Sequence, residues 1–319
     1  MDFLILLVGF ILLIKGADFF VDSASSIAKK FGVPSLLIGL TIVAFGTSAP
    51  EAAVSITAAL KNQNNMAIAN VVGSNMFNLL VVVGAIAMIK PIKVINSVLV
   101  KEFPFLILSS IILLILSFDT RLDLASANTL SRADGLILLA IFSIFMYYLI
   151  ETALTSKDDN TDKADEDDFK NISVFKSIIG CILGAVAIVI GGQLTVNSAS
   201  SIALSFGMSE TLVGLTIVSV GTSLPELVTS LIAAKKGESD IAIGNIIGSN
   251  MFNILFVLAS SSSISSISVS GDAIVDICIM VGAGILTYIF SLTKKSVNRV
   301  EGLFLVLTYA TYLGYIIIR

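Results

Sequence analysis

Apolar residues dominate the chain in long stretches, which recur at intervals that suit helices crossing a bilayer. A spanning helix needs about 20 mostly apolar residues. The sequence contains ten such segments: residues 2–22, 34–60, 66–89, 103–119, 134–153, 174–195, 209–234, 241–267, 272–292 and 300–318. This pattern predicts an all-α membrane protein with ten transmembrane helices.

Composition supports the same class of protein. Charged residues make up only 13% of the chain, whereas soluble domains carry about 25%, so most of the surface must face lipid. Because the sequence shows no basic face, nucleic acid is excluded as a partner. The first apolar segment begins with Asp2 rather than with basic residues, so we expect a retained helix and not a cleaved signal peptide.

One hydrophilic stretch interrupts the apolar pattern. Residues 154–173 contain seven acidic side chains and three lysines. Such a composition is typical of a solvated linker. A regulatory cation-binding role stays open, although the spacing of an EF-hand is missing.

The chain also contains an internal repeat. Shifted by 175 residues, the two halves align without a gap from residue 16 to residue 82. Two motifs carry the match: Gly-Thr-Ser-x-Pro-Glu at 46–51 and 221–226, and Gly-Ser-Asn-Met-Phe-Asn at 73–78 and 248–253. Each half holds five predicted spans, so the second half must enter the membrane from the opposite side, as in inverted-repeat transporters. We therefore predict a first half at 1–153, a linker at 154–173 and an inverted second half at 174–319.

The distribution of basic residues gives the orientation. If the N-terminus lies outside, the inside loops carry fourteen lysines and arginines and the outside loops carry four. Cytoplasmic loops are the ones enriched in these residues. We expect a multi-pass protein of the cell membrane, with both termini outside and the acidic linker in the cytoplasm.

Two carboxylates interrupt the apolar segments at membrane depth, Glu51 and Glu226. A charge at the bilayer centre costs about 2.5–3.5 kcal/mol even on the lenient insertion scale. Protonation or cation binding would remove that cost. Ser48 and Ser223 stand three residues before the glutamates and match a capping box, so a helix-capping role is the structural alternative.

Prolines beside the glutamates predict breaks in both spans. Pro50 and Pro225 lack a backbone N–H and clash with the carbonyl four residues earlier. We expect the breaks near residues 44–48 and 219–223. Carbonyl oxygens freed by a break are tolerated in a membrane only where they line a cavity or an ion site.

The side chains around each glutamate offer oxygen ligands. Thr47 and Thr222 stand four residues before the glutamates, and two further pairs with the same spacing are Ser74 with Asn78 and Ser249 with Asn253. We expect the inverted symmetry to bring both sets together at the midplane. The chain contains no histidine. Oxygen ligands alone suit hard cations such as Ca²⁺, and the same atoms could hold Na⁺.

These motifs resemble the alpha repeats of the Ca²⁺/cation antiporter superfamily, most closely the prokaryotic sodium/calcium exchanger branch. The resemblance assigns the alpha repeats to residues 39–84 and 214–259. It implies a ten-helix fold whose central Ca²⁺ site uses Glu51 and Glu226 with backbone oxygens of Thr47 and Thr222. The Na⁺ sites implied by the resemblance draw on Thr47, Ser48, Ser74, Thr222, Ser223 and Ser249 and on the carbonyls of Ala44 and Ser219, with Asn78 and Asn253 in the middle.

Asn253 departs from one pattern of the superfamily. Potassium-dependent relatives, and some prokaryotic members, carry aspartate at this position, so the resemblance speaks against K⁺ co-transport. One negative charge fewer also leaves the number of exchanged Na⁺ ions open.

We expect a secondary active antiporter that exchanges Na⁺ for Ca²⁺ by alternating access, with the two ions and membrane lipid as its only implied partners. We expect no cofactor and no obligate protein partner. A Ca²⁺/H⁺ antiporter and a passive cation channel are the alternatives, and Mn²⁺ could replace Ca²⁺ as the divalent ion. The sequence contains neither a nucleophile–base pair nor a cofactor motif, so an enzyme is not expected.

Overall fold

The protein is almost entirely helical. The computed structural model describes residues 2–61, 64–122, 126–159, 173–208 and 219–318. The α-helices are α1 (Asp2–Phe31), α2 (Ser35–Ile38), α3 (Ala44–Thr47), α4 (Ala49–Leu60), α5 (Asn64–Met76), α6 (Val83–Ile89), α7 (Phe103–Leu116), α8 (Asp119–Leu122), α9 (Arg132–Asp159), α10 (Val174–Ser205), α11 (Ser219–Gly221), α12 (Leu224–Lys235), α13 (Ser239–Phe252), α14 (Ala259–Ile264), α15 (Gly271–Leu292) and α16 (Arg299–Ile318).

Short π-helical segments continue several of these helices. They are π1 (Gly39–Val43), π2 (Phe77–Val82), π3 (Val98–Glu102) and π4 (Asn253–Leu258). π2 and π4 begin within one residue of equivalent positions in the two repeats. A π-turn widens a helix locally and often marks a functional site. Thr287 of α15 donates a hydrogen bond to the carbonyl oxygen of Leu79 in π2, at 3.3 Å.

Long apolar helices confirm a multi-pass membrane protein. Within the described residues, eight helices are long and apolar enough to span a bilayer, or nine if the bent pair Ser35–Thr47 and Ala49–Leu60 counts as one span. The predicted span 209–234 lies partly outside the described residues. Its described part holds α11 and α12.

Two predicted helix ends are wrong. The sequence predicted that the first and sixth spans end at residues 22 and 195, but α1 continues to Phe31 and α10 to Ser205. Hydropathy falls where polar residues begin, but the helix continues until a residue leaves the helical backbone conformation. Gly32 and Gly207 follow these helices with positive φ, the left-handed conformation that glycine adopts at C-termini.

Four two-residue strands, which the apolar pattern did not predict, also form in the described part of the chain. They are β1 (Ile92–Lys93), β2 (Thr129–Leu130), β3 (Ile267–Ser268) and β4 (Ser296–Val297). β1 pairs antiparallel with β4, and β2 pairs antiparallel with β3. Each pair therefore joins one strand from the first sequence repeat to one from the second.

The chain divides into two compact units, and each contains segments of both sequence halves. The first unit consists of Met1–Thr47, Phe145–Gly248 and Ile316–Arg319, and the second of Ser48–Ile144 and Ser249–Tyr315. The domain boundaries predicted from the repeat remain a prediction.

Within the first unit, α1 and α10 pack backbone against backbone. A Cβ atom added at Gly191 would lie 2.6 Å from the amide nitrogen of Leu13 and 2.8 Å from the carbonyl oxygen of Gly9. At Gly16 it would lie 2.9 Å from the Cβ atom of Ala187. Small residues at these positions let two membrane helices approach closely.

Candidate cation-binding site

Both glutamate-bearing helices begin directly after a break. The chain bends by 51° between the helical segments Ser35–Thr47 and Ala49–Leu60. In the second repeat, α11 ends at Gly221 and α12 begins at Leu224. The predicted breaks are thus confirmed. Pro50 and Pro225 lie in the first turn of α4 and α12, where a missing N–H costs no intrahelical hydrogen bond.

The serine side chains of the two predicted capping boxes do not cap their helices. Ser48 and Ser223 occupy the N-cap positions of α4 and α12, but neither side chain makes a capping hydrogen bond. Both serines are fully buried. Their hydroxyl groups are therefore not committed to capping the helices that carry the glutamates.

Glu51 and Glu226 are both completely buried, with 0% of their surface exposed. Each lies in the first turn of its helix, where the helix dipole favours a negative charge. Burial of a carboxylate is nevertheless costly unless hydrogen bonds or a cation compensate. Glu51 belongs to the second compact unit and Glu226 to the first.

In the second unit, Glu51 is connected to a chain of hydrogen-bonded polar side chains. The hydroxyl of Ser74 donates to Oε1 of Glu51 at 3.2 Å. The amide of Asn253 donates to Oγ of Ser74 at 3.2 Å and to Oδ1 of Asn75 at 3.1 Å. Asn75 in turn donates to the backbone carbonyl of Asn250 at 3.2 Å. The structure therefore brings together three predicted site residues, Glu51, Ser74 and Asn253.

Some buried amide atoms in this unit have no hydrogen-bond partner among the described residues. They are both polar atoms of the Asn78 side chain, both polar atoms of the Asn250 side chain and Oδ1 of Asn253. An unsatisfied buried polar group costs roughly 1–3 kcal/mol. Carboxamide oxygens left in this condition are suitable ligands for a hard cation.

In the first unit, a second polar cluster surrounds Asn245. Thr47 donates from Oγ1 to Oδ1 of Asn245 at 2.9 Å, and Asn245 donates from Nδ2 to Oγ of Ser230 at 2.9 Å. All three side chains are completely buried. Oγ1 of Thr47 also lies 3.4 Å from the carbonyl oxygen of Ala44, another predicted ligand.

Neither this asparagine nor its counterpart in the other repeat, Asn70, is among the site residues predicted from the sequence. Asn70 donates from Nδ2 to Oγ of Ser55 at 3.0 Å and to the carbonyl of Glu51 at 3.4 Å. Asn70 with Ser55 and Asn245 with Ser230 are equivalent pairs, because both members differ by 175 residues. The available signal was that each serine stands four residues after a glutamate, on the same helical face.

The remaining predicted site residues of the second repeat lie in α13 and at or directly after α11. Ser249 is completely buried, and Oγ1 of Thr222 is buried with no hydrogen-bond partner among the described residues. Ser219 begins α11. The described residues contain no group of three or more His, Cys, Asp or Glu side chains that could hold a metal.

Long apolar helices that are interrupted beside fully buried glutamates define an integral membrane protein with polar clusters inside its helices. The model of the family described as "Sodium/calcium exchanger protein" matches residues 1–151 and 176–318. The chain belongs to this family, which is one of transporters and not of enzymes.

Individual relatives match over almost the whole chain. CaxA of Alkalimonas amylolytica, described as a candidate antiporter, is 39% identical over 96% of this chain and 95% of its own length. The sodium/calcium exchanger MaX1 of Methanosarcina acetivorans is 33% identical over 98% of this chain and 97% of its own. A solved structure of the sodium–calcium exchanger NCX_Mj, soaked with 10 mM Na⁺ and zero Ca²⁺, superposes with a TM-score of 0.83, at 30% identity over 98% of both chains.

Proposed function

We propose that this protein exchanges Na⁺ for Ca²⁺ across a membrane as a secondary active antiporter. The observation that carries the proposal is the complete burial of Glu51, which is hydrogen-bonded to Ser74 in a network of oxygen-bearing side chains within membrane helices. The family of the chain and the exchanger relatives described above support the same function. No observation on the described residues favours an H⁺-coupled exchanger or a passive channel instead.

We assign the exchanged ions to the oxygens of the two repeats. Glu51 and Glu226 supply negative charge that matches one Ca²⁺, together with backbone oxygens of Thr47 and Thr222. The Na⁺ ligands are oxygens of Thr47, Thr222, Ser48, Ser223, Ser74, Ser249, Ala44 and Ser219, and the side chains of Asn78 and Asn253 line the middle of the site. The free amide oxygens of Asn78 and Asn253 support this assignment.

Asn70 and Asn245 act as positioning residues in this proposal. Asn245 holds the hydroxyl of Thr47, and Asn70 holds the backbone carbonyl of Glu51. Both asparagines are anchored to a serine one helical turn after a glutamate. Buried hydrogen-bond networks of this kind fix the orientation of the side chains that they connect.

The full fold consists of ten spans in two inverted five-helix repeats. The strand pairs support this count, because paired strands must lie on the same face of the membrane. Between Leu130 of β2 and Ile267 of β3 lie three of the candidate spans, Arg132–Thr155, Val174–Ser205 and Ser239–Ile264. An odd number would leave the two strands on opposite faces, so one further crossing is required.

The other strand pair requires the same additional crossing. Between Ile92 of β1 and Val297 of β4 lie five candidate spans, which is again an odd number. The interval between Ser205 and Ser239 lies inside both stretches of chain and contains the helix Leu224–Lys235. One crossing in this interval satisfies both pairs and gives five spans in each repeat.

Transport follows from the charge of the site. Ca²⁺ or several Na⁺ ions neutralise the glutamates, whereas the empty site would have to carry two bare carboxylates through a low-dielectric barrier. Reorientation of the empty site is therefore disfavoured, and this cost couples the two ions. We place the protein in the cell membrane with both termini outside and the acidic linker in the cytoplasm, because basic residues are concentrated in the loops on the linker side.

Reconstitution in sealed vesicles tests the function. Vesicles loaded with Na⁺ and diluted into Na⁺-free medium with Ca²⁺ should accumulate Ca²⁺, and vesicles without a Na⁺ gradient should not. A proton gradient imposed without Na⁺ is the control for H⁺ coupling. Ca²⁺ uptake that follows its own gradient regardless of Na⁺ would indicate a channel and reject the proposal.

The orientation needs a separate test. A single cysteine introduced at Asn160 in the linker, in a background with Cys181 and Cys278 replaced by alanine, should react with a membrane-impermeant maleimide only after the cytoplasmic face is exposed. Reaction in intact cells would place the linker outside and overturn the assigned orientation.

A further inference from the structure

A lysine outside the spans is held by two aspartates of α1. Lys236 follows α12, and its ammonium lies 2.7 Å from Oδ1 of Asp18 and 2.7 Å from Oδ1 of Asp22. It also donates a hydrogen bond to the backbone carbonyl of Asp18, at 2.9 Å. Asp18 and Asp22 are one helical turn apart, so they present both carboxylates on the same face of α1.

A second pair of contacts continues the same interaction along α1. Ser25 donates a hydrogen bond to Oε1 of Glu238 at 2.6 Å, and the ammonium of Lys29 lies 3.7 Å from the same oxygen. Lys236 thus pairs with the negative Asp18 and Asp22 of α1, whereas Glu238 pairs with the positive Lys29, which lies nearer the C-terminal end of α1. This alternation of charge fixes the register between the helix and the residues 236–238.

The backbone of residues 236–238 is itself well defined. Gly237 has a φ of +86°, which glycine adopts without strain. The amide of Gly237 donates to the carbonyl of Ala234, and that of Glu238 donates to the carbonyl of Ala233, which is the pattern of a Schellman motif. This turn directly joins α12, which carries Glu226, to α13, which carries Asn245.

The repeat equivalent of this arrangement lacks the charges. A shift of 175 residues replaces Asp18 and Asp22 by Gln193 and Asn197, and Lys29 by Leu204. Glu238 corresponds to Gln63, although Lys236 corresponds to Lys61. Ion pairs of this kind are therefore specific to one of the two repeats.

We propose that the contacts of Lys236 and Glu238 with α1 form an electrostatic latch that controls the exchange cycle from one side of the membrane. The proposal rests on the proposed exchange function. A transporter exposes its site alternately to the two sides, and contacts made in only one state shift the balance toward that state. The latch stabilises the arrangement of α1 against the α12–α13 turn seen in this structure, and the proposal requires that α1 is displaced from that turn in the opposite state.

The solvent exposure of the charged side chains limits how strongly the latch can stabilise one carrier state. The side chain of Lys236 is 26% exposed, whereas those of Asp18 and Asp22 are 47% and 63% exposed. Solvent screens such ion pairs, so a single pair contributes little and the network contributes more. We expect neutralisation of Lys236 to shift the ratio of the two carrier states by about 3- to 10-fold.

Reversible cross-linking tests the latch directly. In a background with Cys181 and Cys278 replaced by alanine, Asp22→Cys and Lys236→Cys are joined by a short bifunctional thiosulfonate reagent. The cross-linked protein should lose at least about 90% of its Na⁺-driven Ca²⁺ uptake and recover it after reduction. Full uptake by the cross-linked protein, or failure of the two cysteines to cross-link, would overturn the proposal.

A charge variant separates the latch from general damage. Lys236→Gln should change the half-saturating Na⁺ concentration on one side of the membrane about 3- to 10-fold, and the change should vanish in an Asp18→Asn, Asp22→Asn background. Lys235→Gln, at the neighbouring exposed lysine, is the matched control and should behave as wild type. An unchanged Na⁺ dependence in Lys236→Gln, or a change that persists without the aspartates, contradicts the latch. Absence of exchange in the wild-type protein would instead contradict the proposed function, and the cross-linking yield still reports whether the contact exists.

Discussion

The hydroxyl of Ser74 lies 3.2 Å from Oε1 of Glu51 and donates a hydrogen bond to it. Both residues belong to the repeated motifs, but they are 23 positions apart in the sequence and lie on different helices. Ser74 also accepts a hydrogen bond from Asn253 of the other repeat. One serine thus connects the buried carboxylate to both copies of the Gly-Ser-Asn-Met-Phe-Asn motif.

Replacement of Ser74 by alanine should weaken Ca²⁺ binding. The change removes a hydrogen bond to a buried carboxylate, and bonds to charged groups contribute about 1.5–3 kcal/mol. We expect the half-saturating Ca²⁺ concentration to rise about 10- to 100-fold in vesicle uptake. Ser109→Ala is the matched control, because Ser109 is equally buried but bonds only the carbonyl of Phe105 in its own helix. Equal Ca²⁺ dependence in the two variants would remove Ser74 from the site.

Asn245→Ala should lower both stability and Na⁺ affinity. It leaves the hydroxyls of Thr47 and Ser230 without their shared partner, at a cost of roughly 1–3 kcal/mol. Thermal unfolding in detergent measures the first effect, and the Na⁺ dependence of uptake measures the second. Ser230→Ala removes only the anchoring serine and should show a smaller shift in Na⁺ dependence than Asn245→Ala. A purely structural asparagine would lower the unfolding temperature and leave the Na⁺ dependence unchanged.

A methyl group at Gly191 should separate α1 from α10. The added Cβ atom would meet the backbone of Leu13 at 2.6 Å, and backbone atoms cannot yield as a flexible side chain can. We expect Gly191→Ala to reduce the unfolding temperature by several degrees, in line with the 1–3 kcal/mol cost of overpacking. Gly282→Ala is the control, since no atom lies within 4 Å of its added Cβ, and it should be neutral or slightly stabilising.

The latch should be insensitive to pH in the neutral range. Burial alone would lower the pKa of Lys236. The hydrogen bonds with Asp18 and Asp22 raise this pKa and together outweigh burial, so the pKa lies above its ordinary value. Because the lysine pKa is raised, the ion pair stabilises the contact fully at any pH below the ordinary lysine pKa. This stabilisation is lost only when the pH rises through the raised pKa. The difference in Na⁺ dependence between wild type and Lys236→Gln should therefore stay constant from about pH 6 to pH 9. A difference that disappears within this range would show that another group controls the contact.

The broken helices could be predicted because proline and glycine act locally. Pro50 and Pro225 restrict the backbone whatever surrounds them, and the structure places a break within two residues before each one. The helix ends after α1 and α10 were also encoded locally, by Gly32 and Gly207, but hydropathy concealed them. The charged residues from Asp18 to Lys29 suggest that the span has ended, although the helix continues to Phe31. Asp18 and Lys29 instead form ion pairs with the 236–238 turn.

The spacing of polar residues points to Ser55 and Ser230, but it could not show that asparagines are their partners. Asn70 and Asn245 lie in apolar helices, where an isolated carboxamide carries no periodic signal. Their partners are 15 residues away in sequence, across a helix connection whose geometry only the folded chain defines. π2 and π4 were equally hidden, because a π-turn changes the backbone without changing the apolar pattern.

Cation binding by Glu51 and Glu226 is the step on which the proposed exchange depends. The most direct measurement is Na⁺-driven Ca²⁺ uptake in vesicles containing Glu51→Gln or Glu226→Gln, with Glu151→Gln at an exposed position of α9 as the control. Each glutamine variant should remain folded and lose uptake, because the neutral amide cannot balance the divalent charge, while the control transports normally. Wild-type Ca²⁺ uptake by either glutamine variant would contradict the account.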